Sequence, residues 1–180
     1  ARESFLKASL GYTEVTGSPV LKKLIAGLFT TMTKEDIVVH TGAQEPIFNF
    51  MNVLLENEDH VISQFPIYQS LFEVANSIGC EVTKWSIEQG ENGWVFDIDK
   101  LESLIKPNTK LIVLNSPNNP TGYTLKEDEI ERIITIGRKY DIYVFCDEVY
   151  KGVELDGIKR PWFADCYEKG ISLGVLSNAY

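Results

Sequence analysis

Asp147 and Tyr150 stand three residues apart at the end of the run YVFCDEVY. A carboxylate that closes a hydrophobic run is carried into apolar surroundings, where it needs a partner or incurs a desolvation cost. A cationic ligand group, a helix cap or a neighbouring lysine could meet that need. A second hydrophobic run, LIVL (111–114), leads into NSPNNPTG (115–122), with two prolines, the adjacent Asn118 and Asn119, and a closing glycine. Asn, Pro and Gly are what ordinary turns use. Yet strand, polar turn and helix in succession is also the geometry that brings ligands to the carboxyl ends of an α/β sheet. A third stretch is TGAQEP (41–46). Gly42 permits a tight turn there, and the amides of Ala43 and Gln44 fall at a predicted helix N-terminus. Free N–H groups and the helix dipole favour a phosphate at such a place. Tyr68 in FPIY reads, on its own, as a core tyrosine at a helix start, and Tyr12 in GYTEV as a turn tyrosine.

The elements that must position these residues follow from hydrophobic periodicity. GYTEVTGSP reads as an opening loop, Ser18 as an N-cap and Pro19 as the first residue of a helix with Leu21, Leu24, Ile25 and Leu28 on one face. DIVVHTG (36–42) reads as a strand entering a glycine turn, followed by a helix with Ile47, Met51, Leu54 and Leu55 on one side. Then come a strand at 60–65, a helix at 67–78, a strand at 81–86 and a Gly/Asn loop. Asp97 is expected to cap a helix carrying Leu101, Leu104 and Ile105. Thr124 and Glu127 are a candidate capping box ahead of a helix with Ile130, Ile133, Ile134 and Gly137. Strands follow at 142–149 and 171–176, with a turn-rich segment after Lys151 between them. This alternation predicts an α/β three-layer sandwich: a mostly parallel sheet with helices on both faces.

With 44% hydrophobic and 24% charged residues, the 180-residue chain has ample material for a core. A net charge of −9 without any Lys/Arg block argues against nucleic acid or an anionic membrane as the main partner. No apolar run spans a bilayer and no signal-peptide core is present, so a cytoplasmic protein is expected. Cys80, Cys146 and Cys166 are far apart and in no CxxC pair, which reads as reduced thiols. His40 and His60 read as strand-end or surface residues, leaving little support for a His-based zinc site.

The string LIVLNSPNNPTG, together with FCDEVY at 145–150 and the spacing between them, resembles the signature of the fold-type I aminotransferases (class I and II), which use pyridoxal 5′-phosphate (PLP). The resemblance covers nearly the whole chain. It implies that TGAQEP is the phosphate loop (Gly42, Ala43, Gln44), that Tyr68 stacks on the pyridine ring, and that Asp147 pairs with the protonated ring nitrogen. It further implies that Asn119 and Tyr150 hydrogen-bond the phenolic oxygen of the cofactor and that the Asn119–Pro120 peptide is cis, with Phe65–Pro66 a second candidate. Tyr12 resembles the family tyrosine that reaches the partner's phosphate across a dimer interface, so a homodimer is implied. The small-molecule partners would be an amino acid and a 2-oxo acid. Glu148 receives no role.

The segment ISLGVLSNAY (171–180) resembles the Schiff-base segment of that family, but Asn178 stands where the lysine is expected, and Val175 where many relatives place a phosphate-binding serine. Asparagine has no nucleophilic amine and cannot move a proton as a base. Three origins are open: a deliberate replacement, a sequence error or modified lysine written as asparagine, and a naturally inactive relative. Residues 1–180 would then be a PLP-binding large domain, incomplete, lacking an N-terminal arm and a C-terminal small domain with its carboxylate-binding arginine. The leading expectation is an aminotransferase, inactive as given. The alternatives are a PLP-dependent C–S lyase or related eliminating enzyme of the same fold, a non-catalytic PLP-binding relative, and a bare structural domain.

Overall fold

A computed structural model describes residues 6–7, 11–12, 14–91 and 93–179; Thr13 of the expected opening loop, Asn92 of the expected Gly/Asn loop and Tyr180 after Asn178 lie outside the described residues. The chain divides into two compact units, Ala1–His40 and Thr41–Tyr180.

In the first unit, helix α1 (Pro19–Ala26) starts as expected: Ser18 Oγ accepts from the Leu21 amide at 3.5 Å and Pro19 opens the helix. The covered side carries Leu21, Ile25 and Ala26, whereas Leu24 and Leu28 are exposed, so the expected four-residue face is only half right. The strand expected from residue 36 is absent among the described residues. Lys34–Asp36 is a short 3-10 turn, with Asp36 accepting from both the amide and the hydroxyl of Thr33. The β-branched residues beyond it run extended, but Ile37 N–H closes the turn on Lys34 C=O (3.4 Å) and Val39 N–H bonds Thr16 C=O (3.0 Å), with no ladder among the described residues. That approach requires glycine at position 17, where φ is +103° and an added Cβ would meet Val39 at 2.5 Å.

The second unit is the α/β sandwich. Its elements are α2 (Gln44–Leu54), β1 (His60–Phe65), α3 (Ser70–Ile78), β2 (Glu81–Ser86), β3 (Glu88–Gly90), β4 (Gly93–Val95), α4 (Ile98–Ser103), β5 (Thr109–Asn115), α5 (Glu127–Tyr140), β6 (Tyr143–Asp147), α6 (Phe163–Cys166), β7 (Gly170–Leu173) and α7 (Leu176–Ala179). Five strands form one parallel sheet in the order β2-β1-β5-β6-β7. The chain turns one way from β1 to β2 and then crosses back to β5, so the strand order reverses between β1 and β5, where such sheets open a crevice at their carboxyl ends.

Period-two alternation along the strands builds a core on each face. Ile62, Ile112, Leu114, Val144 and Cys146 meet α4, α5 and α6, with Ile133 and Trp85 fully buried among them. Val61, Leu111, Val113 and Phe145 face the other way, onto Ile47 and Met51 of α2 and Leu71 and Ala75 of α3. Each such fully buried aliphatic side chain contributes on the order of 1.5–3 kcal/mol of transfer free energy.

Several expected boundaries move. The helix expected from residue 67 starts at Ser70, because the first full-turn bond is Glu73 N–H to Gln69 C=O. The Gly/Asn loop contains the antiparallel hairpin β3–β4. Asp97 caps α4 through the Lys100 amide, but Leu104 and Ile105 lie past its end. The Thr124–Glu127 capping box is not formed: α5 begins at Glu127, and Glu129 reaches back to the Lys126 amide at 2.8 Å. The last strand stops at Leu173, whose carbonyl is taken by the Glu148 amide, so Asn178 lies on α7. The peptides before Pro66, Pro117 and Pro120 are cis. His60 is buried at the start of β1 between the hydroxyls of Thr109 and Thr83.

Candidate active site

The carboxyl ends of β5 and β6, the N-terminus of α2 and the turn after β1 converge on a cleft of about 310 Å³. That size is at the lower end of small-molecule sites. Of the residues expected at a site, Ala43, Gln44, Tyr68, Asn119, Asp147, Tyr150 and Asn178 line it together. Gly42 adjoins it through Ala43, while Tyr12 belongs to the first unit and is fully exposed there.

One end of the cleft is the start of α2. Gly42 has φ +110°, a conformation that only glycine adopts freely, and an added Cβ would meet nothing within 4 Å. The turn thus leaves room over the first amides of the helix, which need partners from outside it. Glu45 is folded back, its carboxylate accepting from the amide (2.7 Å) and hydroxyl (2.9 Å) of Thr41. The Gln44 Nε2 donates to the hydroxyl of the partly exposed Tyr68 at 2.8 Å.

Asp147 lies deeper. Strand alternation puts it on the face of Phe145, and it is 4% exposed. Its Oδ1 accepts from the Val149 amide at 3.1 Å. Burial pushes its carboxyl up to about 6, with the neighbouring Glu148 charge adding to the rise and the Val149 bond opposing it. A buried carboxylate with so little compensation is suited to a cationic partner in the cleft. Glu148 points into the opposite core. There its carboxylate meets Lys151 Nζ (2.7 Å), the Ser172 hydroxyl and the Phe163 amide. Burial raises its pKa, and Lys151 opposes the rise.

The NSPNNPTG turn is held by asparagine side chains. Asn118 Oδ1 accepts from the Thr121 amide and hydroxyl, and Asn118 Nδ2 donates to the Pro66 carbonyl at 3.2 Å. Asn119 itself is exposed at the cleft, with its amide bound by Asn115. Val175 packs against the α2–α3 core and offers no hydroxyl. Ile47, Asn115 and Val149 also line the cleft and were not among the expected site residues. Alternation on β5 could have found Asn115, which lies two and four residues beyond Val113 and Leu111 on the same face. Among the described residues no group of His, Cys, Asp or Glu could hold a metal ion.

A glycine turn at a helix start, an aromatic side chain bonded to that helix and a buried carboxyl share one cleft. The profile of aminotransferase class I and II matches residues 6–177. The chain belongs to this family. Among curated members, it is 29% identical over 162 residues to the aspartate/prephenate aminotransferase of Thermus thermophilus, covering 87% of this chain and 42% of that protein. It is 28% identical over 204 residues to kynurenine–oxoglutarate transaminase 1 of Mus musculus, covering 100% of this chain and 48% of that one. A crystal structure of a PLP-dependent aminotransferase from Streptococcus suis superposes with a TM-score of 0.92 at 36% identity, covering 99% of this chain and 47% of that one. The chain thus spans under half the length of these family members. The family's parallel-sheet domain, expected from the motif string, is the fold observed.

Proposed function

We propose that this chain is the cofactor-binding large domain of a PLP-dependent aminotransferase that moves an amino group from an amino acid to a 2-oxo acid. The observation that carries this reading is Asp147, a buried carboxyl at the end of β6, lining one cleft with the start of α2 and with position 178. Bound PLP supplies an electron sink for negative charge at the substrate α-carbon. The amides of Ala43 and Gln44 bind its phosphate, Tyr68 covers one face of the ring, and Asp147 holds a proton on the ring nitrogen. Asn119 and Tyr150 face the phenolic oxygen. Tyr12, fully exposed in the first unit, reaches the phosphate of a second copy in a homodimer. Coverage of under half of each relative supports a longer working protein with an N-terminal arm and a small domain. The three free cysteines support a reducing, cytoplasmic setting.

Asn178 favours a second reading of the same site, a non-catalytic PLP holder. Its carboxamide can neither bond covalently to the cofactor nor carry a proton to and from the substrate. The deciding experiment is PLP titration of the chain and of Asn178→Lys, followed by borohydride reduction and mass analysis of the peptide spanning Ile171 to Tyr180. Reversible binding by the chain, with a reduced PLP adduct at residue 178 only in the lysine variant, is expected. A lysine variant that binds PLP without forming the adduct removes position 178 from the site. If neither protein takes up PLP, the cofactor assignment falls.

A further inference from the structure

Asn115 closes β5 and is the register partner of Asp147 at the end of β6. It is 1% exposed and lines the cleft, yet both heteroatoms of its side chain are directed at protein. Its Nδ2 donates to the Asp147 carbonyl at 2.8 Å, beside the Ser116 amide, which donates to the same oxygen at 3.0 Å. Its Oδ1 accepts from the Asn119 amide at 2.6 Å. The Asn115 backbone amide is taken in turn by Gln64 Oε1 at 2.9 Å, which ties the end of β5 to the end of β1. One planar carboxamide therefore bridges the strand end that carries Asp147 and the turn that carries Asn119.

We propose that Asn115 is a positioning residue that sets the separation of Asp147 and Asn119. The inference rests on the PLP reading above, in which these two residues face different atoms of one rigid ring. A rigid ligand fixes the distance between the groups that address it, and misplacing either group loses binding that both could give. A carboxamide suits the task because its donor and acceptor are held in one plane at a fixed spacing. A shorter side chain with a single oxygen cannot occupy both points.

Asn115→Ala tests this, with Ile112→Val as the comparison: Ile112 is on the same strand, fully buried in the opposite core and away from the cleft. Two quantities are measured, amide hydrogen exchange at Asn119 in the cofactor-free chain and the PLP dissociation constant. Exchange at Asn119 is expected to quicken about tenfold in Asn115→Ala, and PLP affinity to fall about tenfold, the order that one or two lost hydrogen bonds are worth. Ile112→Val should leave both within about twofold. Asn115→Thr, a strand-compatible side chain with one hydroxyl, is the milder variant should Asn115→Ala not fold, and the same two changes are expected in it. Unchanged exchange at Asn119 overturns the proposal. So does faster exchange with unaltered PLP affinity, which would make Asn115 a turn anchor only. If the unaltered chain takes up no PLP, the PLP reading fails by itself, and exchange at Asn119 still decides whether Asn115 holds that residue.

Discussion

Asp147 and Glu148 are adjacent, both almost fully buried, and turned to opposite faces of the sheet: Asp147 borders the cleft, while Glu148 is paired with Lys151 at 2.7 Å in the other core. Two neighbouring carboxylates therefore have separable tasks. Asp147→Ala should weaken PLP binding by about ten- to a hundredfold, the range for a lost charge-assisted bond, with little loss of stability. Glu148→Ala leaves the partly buried Lys151 ammonium to the Pro161 carbonyl without its carboxylate partner and should cost about 3 kcal/mol of folding stability. It should leave PLP affinity within a few-fold wherever the variant is folded. PLP titration and urea unfolding of both variants check the split. Equal losses of affinity would remove Asp147 from its assigned place opposite the ring nitrogen.

The same burial gives the cofactor-free chain a pH signature. Asp147 is raised from 3.8 to about 6 in the fold. Between those values the folded chain keeps a proton that the unfolded chain has released, so stability falls as pH rises through the window. Once the group is ionised the cost is roughly 3 kcal/mol by linkage. Asp147→Asn removes this cost. The variant should therefore gain stability over the parent at pH 8 by up to about that amount, and the gain should shrink towards pH 4. Urea midpoints of the two proteins across this range give the difference directly. A constant gap would mean that Asp147 does not titrate there. PLP affinity of the parent should weaken as pH drops below about 6, because the ring nitrogen then meets a neutral carboxyl.

What the sequence conveyed depended on whether the deciding partner was local. The placement of Asp147 and Gln44 at the cleft was legible because one closes a hydrophobic run and the other opens a helix, that of Asn119 because it lies in the polar turn after a strand, and the parallel sheet followed from strands alternating with helices. The strand expected at 36–42 was misread for the opposite reason. Ile37, Val38 and Val39 have strand propensity, but propensity says nothing of a neighbouring strand, and the stretch bonds the Lys34 turn and Thr16 rather than a strand ladder. The β3–β4 hairpin was hidden because its residues, Glu88, Gln89 and Gly90 among them, show no apolar alternation. The two contacts that tie the site together, Asn115 to Asp147 and Gln44 to Tyr68, join residues 32 and 24 positions apart and leave no periodic trace.

The cap of α5 was placed two residues too early, and the correct one has a measurable worth. Glu129 is buried, and besides the Lys126 amide it accepts from the Tyr123 hydroxyl at 2.6 Å. Burial, followed by the bond to Glu129, holds the Tyr123 phenol well above its ordinary pKa. Glu129→Ala removes the cap and leaves a half-buried hydroxyl without this partner, so a loss of about 2–3 kcal/mol is expected. Thr124→Ala, outside the helix, should stay within about 0.5 kcal/mol. Thermal unfolding of the two variants separates them. A larger loss from Thr124→Ala would restore the earlier cap.

The bond from Gln44 to Tyr68 joins the start of α2 to the aromatic wall of the cleft. Its energetic role can be isolated because each partner can lose the contact with little change of shape. Gln44→Leu keeps the backbone amide at the helix start but removes the side-chain donor. Tyr68→Phe keeps the ring but removes the hydroxyl. If the bond fixes the ring over the cofactor, each change should weaken PLP binding by about fivefold, the order of one neutral hydrogen bond. The double variant should then be no weaker than either single one, because the same contact has been removed from its two ends. Additive losses would mean that Gln44 and Tyr68 address the cofactor independently. Dissociation constants for the four proteins of this cycle, taken at pH 8 where Asp147 is ionised, distinguish the two cases.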